Sequence, residues 1–183
     1  MPSINYPDCL LKYLGRKFWK DTINNINTNP SLWGNFVKPV RDKAFTGHII
    51  NGPKDLIGCG SCYEDYEVLV SQPVEFVYEC RGFVYYDDLI DLRPYFGDFK
   101  YMKYMDTALI EKALEDFKTW EERPNVCSLD FGVIKDESGF KTVFIEMNSF
   151  SATGCYGLHH LNYAKMINAY FSSAYGIDDD CLF

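Results

Sequence analysis

The segment "CSLDFGVIKDESGFKTVFIEMN", residues 127–148, holds two long runs rich in Val, Phe and Ile around the short polar stretch Glu137-Ser138-Gly139. Apolar residues spaced for strands on both sides of a Gly-bearing turn specify an antiparallel hairpin. A chain that contains this hairpin carries an antiparallel sheet, and the other β signals supply its company. Residues 67–71 read as a strand that breaks at Pro73. Residues 78–86 and 89–93 read as a second hairpin turned by Asp87-Asp88. "NFVKPV" and "GHIING" read as a third, shorter pair, with 41–46 as its loop.

Helical signals are fewer. "DTALIEKALEDFKTWEERP" is the clearest, with Asp106 as N-cap, one apolar face through Leu109, Ile110, Ala113, Leu114, Phe117 and Trp120, and Pro124 as its stop. Residues 6–26 read as a helical N-terminal part, cut off by "NNINTNP", and residues 158–174 read as a last helix. Mostly antiparallel strands with interspersed helices give an α+β class. The expected organisation is a single domain over 1–183, with a short helical N-terminal segment at 1–34 and small subdomains at 35–74 and 75–183.

Composition excludes several classes. With 47% apolar and 17% aromatic residues the chain is globular. A net charge of −8 gives no bulk attraction to nucleic acid or an anionic membrane, although Arg16, Lys17, Lys20, Arg41 and Lys43 could form a local basic strip. No apolar run approaches the ~18 residues of a membrane span. The first twenty residues lack a signal-peptide layout. Seven scattered cysteines, an odd number, suggest a reducing compartment, the cytoplasm. Cys59 and Cys62 form a C-x-x-C, but no second pair completes a zinc set, and its surroundings read as a Gly-rich loop.

The main hairpin carries chemistry on one face. Period 2 puts Leu129, Phe131 and Val133 on one side of its first strand and Asp130 on the other. In the second strand Val143, Ile145 and Met147 are expected on the core face, with Phe144, Glu146 and Asn148 opposite. A three-residue loop, with Gly139 left-handed, pairs Asp136 with Phe140 and sets Asp130 directly across from Glu146. Two carboxylates so placed repel, and something positive is expected between them. Either this is a solvated outer face with two acids, or Asp130, Glu146 and Asn148 are hard oxygen ligands for Mg²⁺.

Cations for phosphate oxygens are also present. Lys38 lies inside an apolar strand beside Val37, and Lys43 lies in the following loop. Glu79 and Arg81 share a strand face, and Arg93 ends the next strand. A cross-strand ion pair explains Glu79 and Arg81 structurally; ribose and phosphate contacts explain them functionally. His48, His159 and His160 read as surface or satisfied histidines, or as part of an acceptor pocket. Ser149, Ser151 and Thr153 either bind substrate or cap the last helix. No Ser/His/Asp or Cys/His set for covalent catalysis stands out.

Together "FVKP", "VLVSQPVEF", "ECR" and "LDFGV…VFIEMN" resemble an ATP-grasp nucleotide site, over about residues 35–157. "PDCLLKYLGRKFW" and "FVKPVRDKAFTGHI" resemble more narrowly the viral and bacterial clade described by one arginine and two lysines. The resemblance implies an ATP-grasp-like fold, with two small subdomains whose antiparallel sheets sandwich a nucleotide. It implies Lys38 on the α- and β-phosphates, Lys43 in the phosphate-covering loop, the backbone of Gln72–Val74 at the adenine and Glu79 on the ribose. It implies Asp130, Glu146 and Asn148 as Mg²⁺ ligands, and Arg81 and Arg93 on phosphate or an acyl-phosphate. The implied activity is an ATP-dependent, ADP-forming ligase making an amide-type bond. Alternatives are an RNA-end ligase or kinase in nucleic-acid repair, or a nucleotide-binding module without chemistry. Only 37 residues precede Lys38, which points to a large acceptor such as a protein, peptide or nucleic-acid end, or to a separate subunit.

Overall fold

The computed structural model describes residues 5–40, 44–59 and 64–181. They fall into two units, Arg16–Val74 on one side and residues 5–15 with 75–181 on the other.

In the smaller unit, aromatic and β-branched residues set the strands. β1 (Phe18–Thr22) leads straight into α1 (Ile23–Thr28), whose first turn is capped by the Thr22 hydroxyl accepting from the Asn25 N–H at 3.3 Å. β2 (Phe36–Pro39), β3 (His48–Ile49) and β4 (Glu67–Ser71) follow. The sheet is antiparallel, in the order β1-β4-β2-β3. Its core joins Ile23 and Ile26 to Val37, Ile50, Val68 and Val70. The helix expected across 6–26 is therefore corrected. A 3-10 turn at Asp8–Tyr13 is followed by Gly15, which takes φ +62°, and the chain then pairs with β4 instead of coiling. Phe18 and Trp19 favour a pleated edge, and β4 offers them a partner.

The larger unit is built on β5 (Phe76–Tyr85), β6 (Asp88–Gly97), α2 (Thr107–Lys118), β7 (Val126–Asp136), β8 (Gly139–Ser149) and α3 (His160–Tyr175). Its antiparallel sheet runs β6-β5-β7-β8. The β5–β6 hairpin is longer than the sequence suggests and turns at Tyr86-Asp87, one residue early, because Tyr86 accepts φ +53°. α2 starts where expected: Asp106 accepts from the Leu109 N–H at 3.1 Å, and Ile110, Ala113 and Phe117 are buried.

The β7–β8 hairpin reaches its expected register by another route. The loop is the two-residue Glu137-Ser138, and Asp136 pairs with Gly139 rather than Phe140. A β-bulge then follows, so that Phe131 faces Phe144 while Asp130 faces Glu146. The extra residue is Ile145. The bulge also changes the expected faces. Phe144 sits opposite Phe131, edge to face with centroids 5.9 Å apart, and belongs to the core side with Met147. Val143 faces Gly132, and Ile145 lies over Gly132, so both belong to the side of Asp130. Phe83, Phe117, Phe131 and Phe144 are fully buried, each contributing about 1.5–3 kcal/mol.

The two faces of this sheet are covered differently. Tyr78, Cys80 and Val133 pack under Tyr101 and Tyr104 of the 3-10 segment Phe99–Tyr104. On the other face, Phe83 and Val126 pack against Met166 and Ala169 of α3. α3 covers only one end of that face. No helix among the described residues is long and apolar enough to cross a membrane.

Candidate functional site

Beyond α3, the same face of the larger sheet carries one transverse row of charge. Arg93 of β6 pairs with Arg81 of β5, Arg81 with Asp130 of β7, and Asp130 with Glu146 of β8. Two cations and two anions thus span all four strands in order. Period 2 adds Glu79 beside Arg81 and Asn148 beside Glu146 on that face.

Arg81 donates to both carboxylate oxygens of Asp130, from Nε at 2.9 Å and from Nη2 at 2.7 Å. Asn148 donates to Asp130 Oδ2 through Nδ2 at 3.1 Å. Asp130 is only 1% exposed. Arg81 also lies beside two adjacent aromatic rings, 5.4 Å from the centroid of Tyr95 and 4.8 Å from that of Tyr156. Tyr95 donates its hydroxyl to Glu79 Oε2 at 2.6 Å. Tyr156 reaches Arg81 from an irregular loop, at φ +43°, with Gly157 behind it at φ +84°. Arg93 donates from Nε at 2.9 Å and Nη2 at 2.6 Å to Asp91 Oδ2 on its own strand.

The electrostatics follow from this crowding. Burial raises the Glu79 carboxyl above its ordinary value; the Tyr95 hydrogen bond opposes that, and the charges of Asp130 and Glu146 add to it. Burial works against the Arg81 charge, but the hydrogen bond and charge of Asp130 outweigh it and raise its pKa. Burial, the Asp130 charge and the bond to Glu79 push the Tyr95 hydroxyl up. The positive group expected beside the two carboxylates is thus a side chain of the protein, Arg81. Glu79 bonds Tyr95, and the cross-strand ion pair of this face is Arg81–Asp130.

Asp130, Glu146 and Asn148 come together as expected, with Asp130 directly opposite Glu146 and hydrogen-bonded to Asn148. Their donors are oxygens of two carboxylates and an amide, the set that suits Mg²⁺. Among the described residues, no three His, Cys, Asp or Glu side chains converge as a metal cluster. The donor chemistry fits.

The remaining expected residues lie in the smaller unit. Lys38 pairs with Leu69 of β4 and is half-buried. Gly47 packs on its stem, where an added Cβ would sit 3.1 Å from Lys38 Cβ. Lys43, Arg41 and Cys62 lie outside the described residues. The Gln72 N–H donates to the Lys17 carbonyl at 3.0 Å, its side chain is exposed, and Val74 ends the unit half-buried.

The histidines divide. Both ring nitrogens of His48 lie 2.7 Å from carbonyl oxygens, Nδ1 from Thr46 and Nε2 from Asp55, and Cys59 donates to the same Asp55 carbonyl at 3.3 Å. His159 and His160 stack on each other at 4.4 Å and are exposed at the start of α3. No side chain caps α3; Thr153 is buried and donates to the Ser149 carbonyl at 3.1 Å. Ser149 and Ser151 hydroxyls are 3.2 Å apart. Sequence reasoning missed Tyr95 and Tyr156. Tyr95 lies two residues beyond Arg93, so strand alternation could have found it; Tyr156, in an irregular loop, gave no signal.

A sequence profile for the ATP-grasp domain of the clade described by one arginine and two lysines, family 2, matches residues 13–166. No curated protein matches the sequence. Among solved structures, D-alanyl-alanine synthetase A from Vibrio cholerae O1 biovar eltor is 16% identical with a TM-score of 0.50, over 86% of this chain and 55% of that one. C-terminally truncated Cdc123 from Schizosaccharomyces pombe is 15% identical with a TM-score of 0.43, over 98% of this chain and 84% of that one. Macrocyclase MdnC from Microcystis aeruginosa MRC, bound with precursor peptide MdnA, is 14% identical with a TM-score of 0.42, over 75% of this chain and 48% of that one. The chain spans about half the length of the synthetase and of the macrocyclase. The likeness to the synthetase extends to the fold, an α+β ATP-grasp fold, and with a family profile running through most of its length the chain belongs to the ATP-grasp family, in the second family of the arginine-and-two-lysines clade.

Proposed function

We propose that the chain is an ADP-forming ligase that joins a carboxylate to an amine at the expense of ATP. The observation that supports this is the transverse row Arg93, Arg81, Asp130 and Glu146, two guanidinium groups and two carboxylates in line on one sheet face. A carboxylate oxygen of the substrate attacks the γ-phosphorus, the bond to the β-phosphate oxygen breaks, and ADP leaves. The amine nitrogen then attacks the acyl carbon, loses a proton, and inorganic phosphate departs. No protein nucleophile is needed, and the protein's task is alignment and charge neutralisation.

Asp130, Glu146 and Asn148 would hold Mg²⁺, which when bound neutralises phosphate charge. Arg81 and Arg93 are assigned to phosphate oxygens through guanidinium hydrogens other than those donated to Asp130 and Asp91. Lys38, on β2, is assigned to the α- and β-phosphates, and Lys43 to the same end of the nucleotide. Glu79, oriented by the Tyr95 hydroxyl, accepts from the ribose hydroxyls. The adenine is assigned to the backbone at Gln72–Val74. For the substrate we assign a peptide or protein end, reached at the loop of Ser151 and Tyr156, which are both exposed. The described cysteines are all free, which favours a reducing cytoplasm.

The test is nucleotide turnover with pooled peptides as carboxylate and amine donors. ADP and phosphate in equal amounts, dependent on Mg²⁺ and lost in Glu146→Ala, would support the assignment. AMP as the product, or full turnover in Glu146→Ala, would sink it.

A further inference from the structure

Asp130 is expected to serve a metal, yet both of its oxygens already accept hydrogen bonds. Oδ1 accepts from Arg81 Nε, and Oδ2 accepts from Arg81 Nη2 and Asn148 Nδ2. The acid is 1% exposed, so water does not share this work to any extent. A cation entering here meets an oxygen set that a tethered cation has already engaged. Asn148 is bound in the same way: its amide nitrogen is turned to Asp130, and its carbonyl oxygen is its remaining metal-binding atom.

Arg81 is not held by Asp130 alone. The Tyr95 and Tyr156 rings lie 5.4 and 4.8 Å from its guanidinium carbon, and the two ring centroids are 5.6 Å apart. An aromatic pair of this kind can retain a guanidinium after its carboxylate partner has been partly taken away. Arg93, directly opposite on β6, already has its own acid in Asp91 and is not obliged to follow.

Resting on the metal assignment above, we propose that Arg81 is a built-in counter-cation that competes with Mg²⁺ for Asp130. The bond from Arg81 keeps the buried carboxylate charged and ordered before metal arrives. An Asp130 oxygen given to a metal would be one that Arg81 gives up, leaving guanidinium hydrogens for another acceptor. Tyr95 and Tyr156 are positioning residues that keep the released guanidinium over the face. The metal affinity of this protein is therefore the difference between two cations, and Arg81 sets it.

The experiment titrates the full chain with Mn²⁺, counting free ion by electron paramagnetic resonance without nucleotide. In Arg81→Met, the Mn²⁺ dissociation constant falls by about tenfold or more, the factor that one lost charge-assisted hydrogen bond makes. An unchanged or weaker affinity in that variant, with binding still lost in Asp130→Asn, overturns the competition and leaves the metal site standing. Unaltered Mn²⁺ binding in both Asp130→Asn and Glu146→Ala overturns the metal site and the competition with it. Should Arg81→Met not fold, the wild type answers. The Arg81 Nε–H resonance, assigned as the one lost in Arg81→Lys, shifts and exchanges faster as Mg²⁺ is added. A resonance that stays put through Mg²⁺ saturation, measured by calorimetry on the same sample, overturns the proposal.

Discussion

Arg81 and Asp130, direct partners across β5 and β7, meet through two parallel hydrogen bonds of 2.9 and 2.7 Å in a setting where the acid is almost wholly buried. Removing one member of such a pair strands the other without water. Arg81→Met is expected to cost about 3–5 kcal/mol, and adding Asp130→Asn to it should recover a substantial part. Urea unfolding of both single variants and the double variant checks this. A double-variant loss equal to the sum of the two single losses would mean that the pair is not coupled.

Glu146 stands on the other side of Asp130, like charge opposite like charge. Glu146→Gln is therefore expected to leave the ligand-free protein as stable as the wild type, or more stable by up to about 1 kcal/mol. Under the proposed function Mg-ATP raises the melting temperature of the wild type, and the same change should abolish that gain. At about 100 times Kd that gain corresponds to roughly 2.7 kcal/mol. Calorimetric scans with and without Mg-ATP test both halves.

His48 has a carbonyl oxygen at each ring nitrogen, an arrangement that only the doubly protonated ring satisfies fully. Its pKa is raised above 6.5, first by the hydrogen bond to the Thr46 carbonyl and then by that to Asp55. A folded value above the unfolded one favours the fold below about pH 6.5, and that contribution fades as pH rises through the folded value. The stability gap between wild type and His48→Gln should then be wider at pH 6 than at pH 8. A gap that grows with pH would contradict the arrangement.

Gly97 closes β6 at φ +91°, and an added Cβ would lie 2.8 Å from Tyr78 Cα and closer still to the Val77 carbonyl oxygen. Backbone cannot move aside as a side chain can. Gly97→Ala should cost more than about 2 kcal/mol, combining left-handed strain with the clash. Gly139, also at positive φ but with open space around it, should lose about 1 kcal/mol or less in Gly139→Asn. Thermal unfolding of the two variants separates strain from collision.

The strands of the larger sheet were legible because most of their apolar residues follow period 2. Asp130, Glu146 and Asn148 could be put on one face from spacing alone. The route between them could not: Glu137-Ser138-Gly139 suits loops of either length, and a bulge at Ile145 leaves no mark in a run of β-branched residues. The N-terminal segment misled because Leu10, Leu11 and Leu14 carry helical spacing, while the pairing of Phe18 and Trp19 with β4 depends on residues some fifty positions away. Arg81 could be seen as a candidate cation, but its choice of Asp130 over Glu79 is made by strand order, which no local pattern encodes.

The bulge at Ile145 has a consequence for how this hairpin tolerates change in length. With the two-residue turn, the ladder from Asp136–Gly139 to Phe131–Phe144 is one residue out of step with the ladder that holds Asp130 and Glu146. Ile145 absorbs that offset, so the tip and the charged end are indexed separately. One residue added at the tip can be taken up by straightening the strand at Ile145, and Glu146 keeps its place opposite Asp130. The hairpin has slack, and it lies between the tip and the pair Asp130 and Glu146.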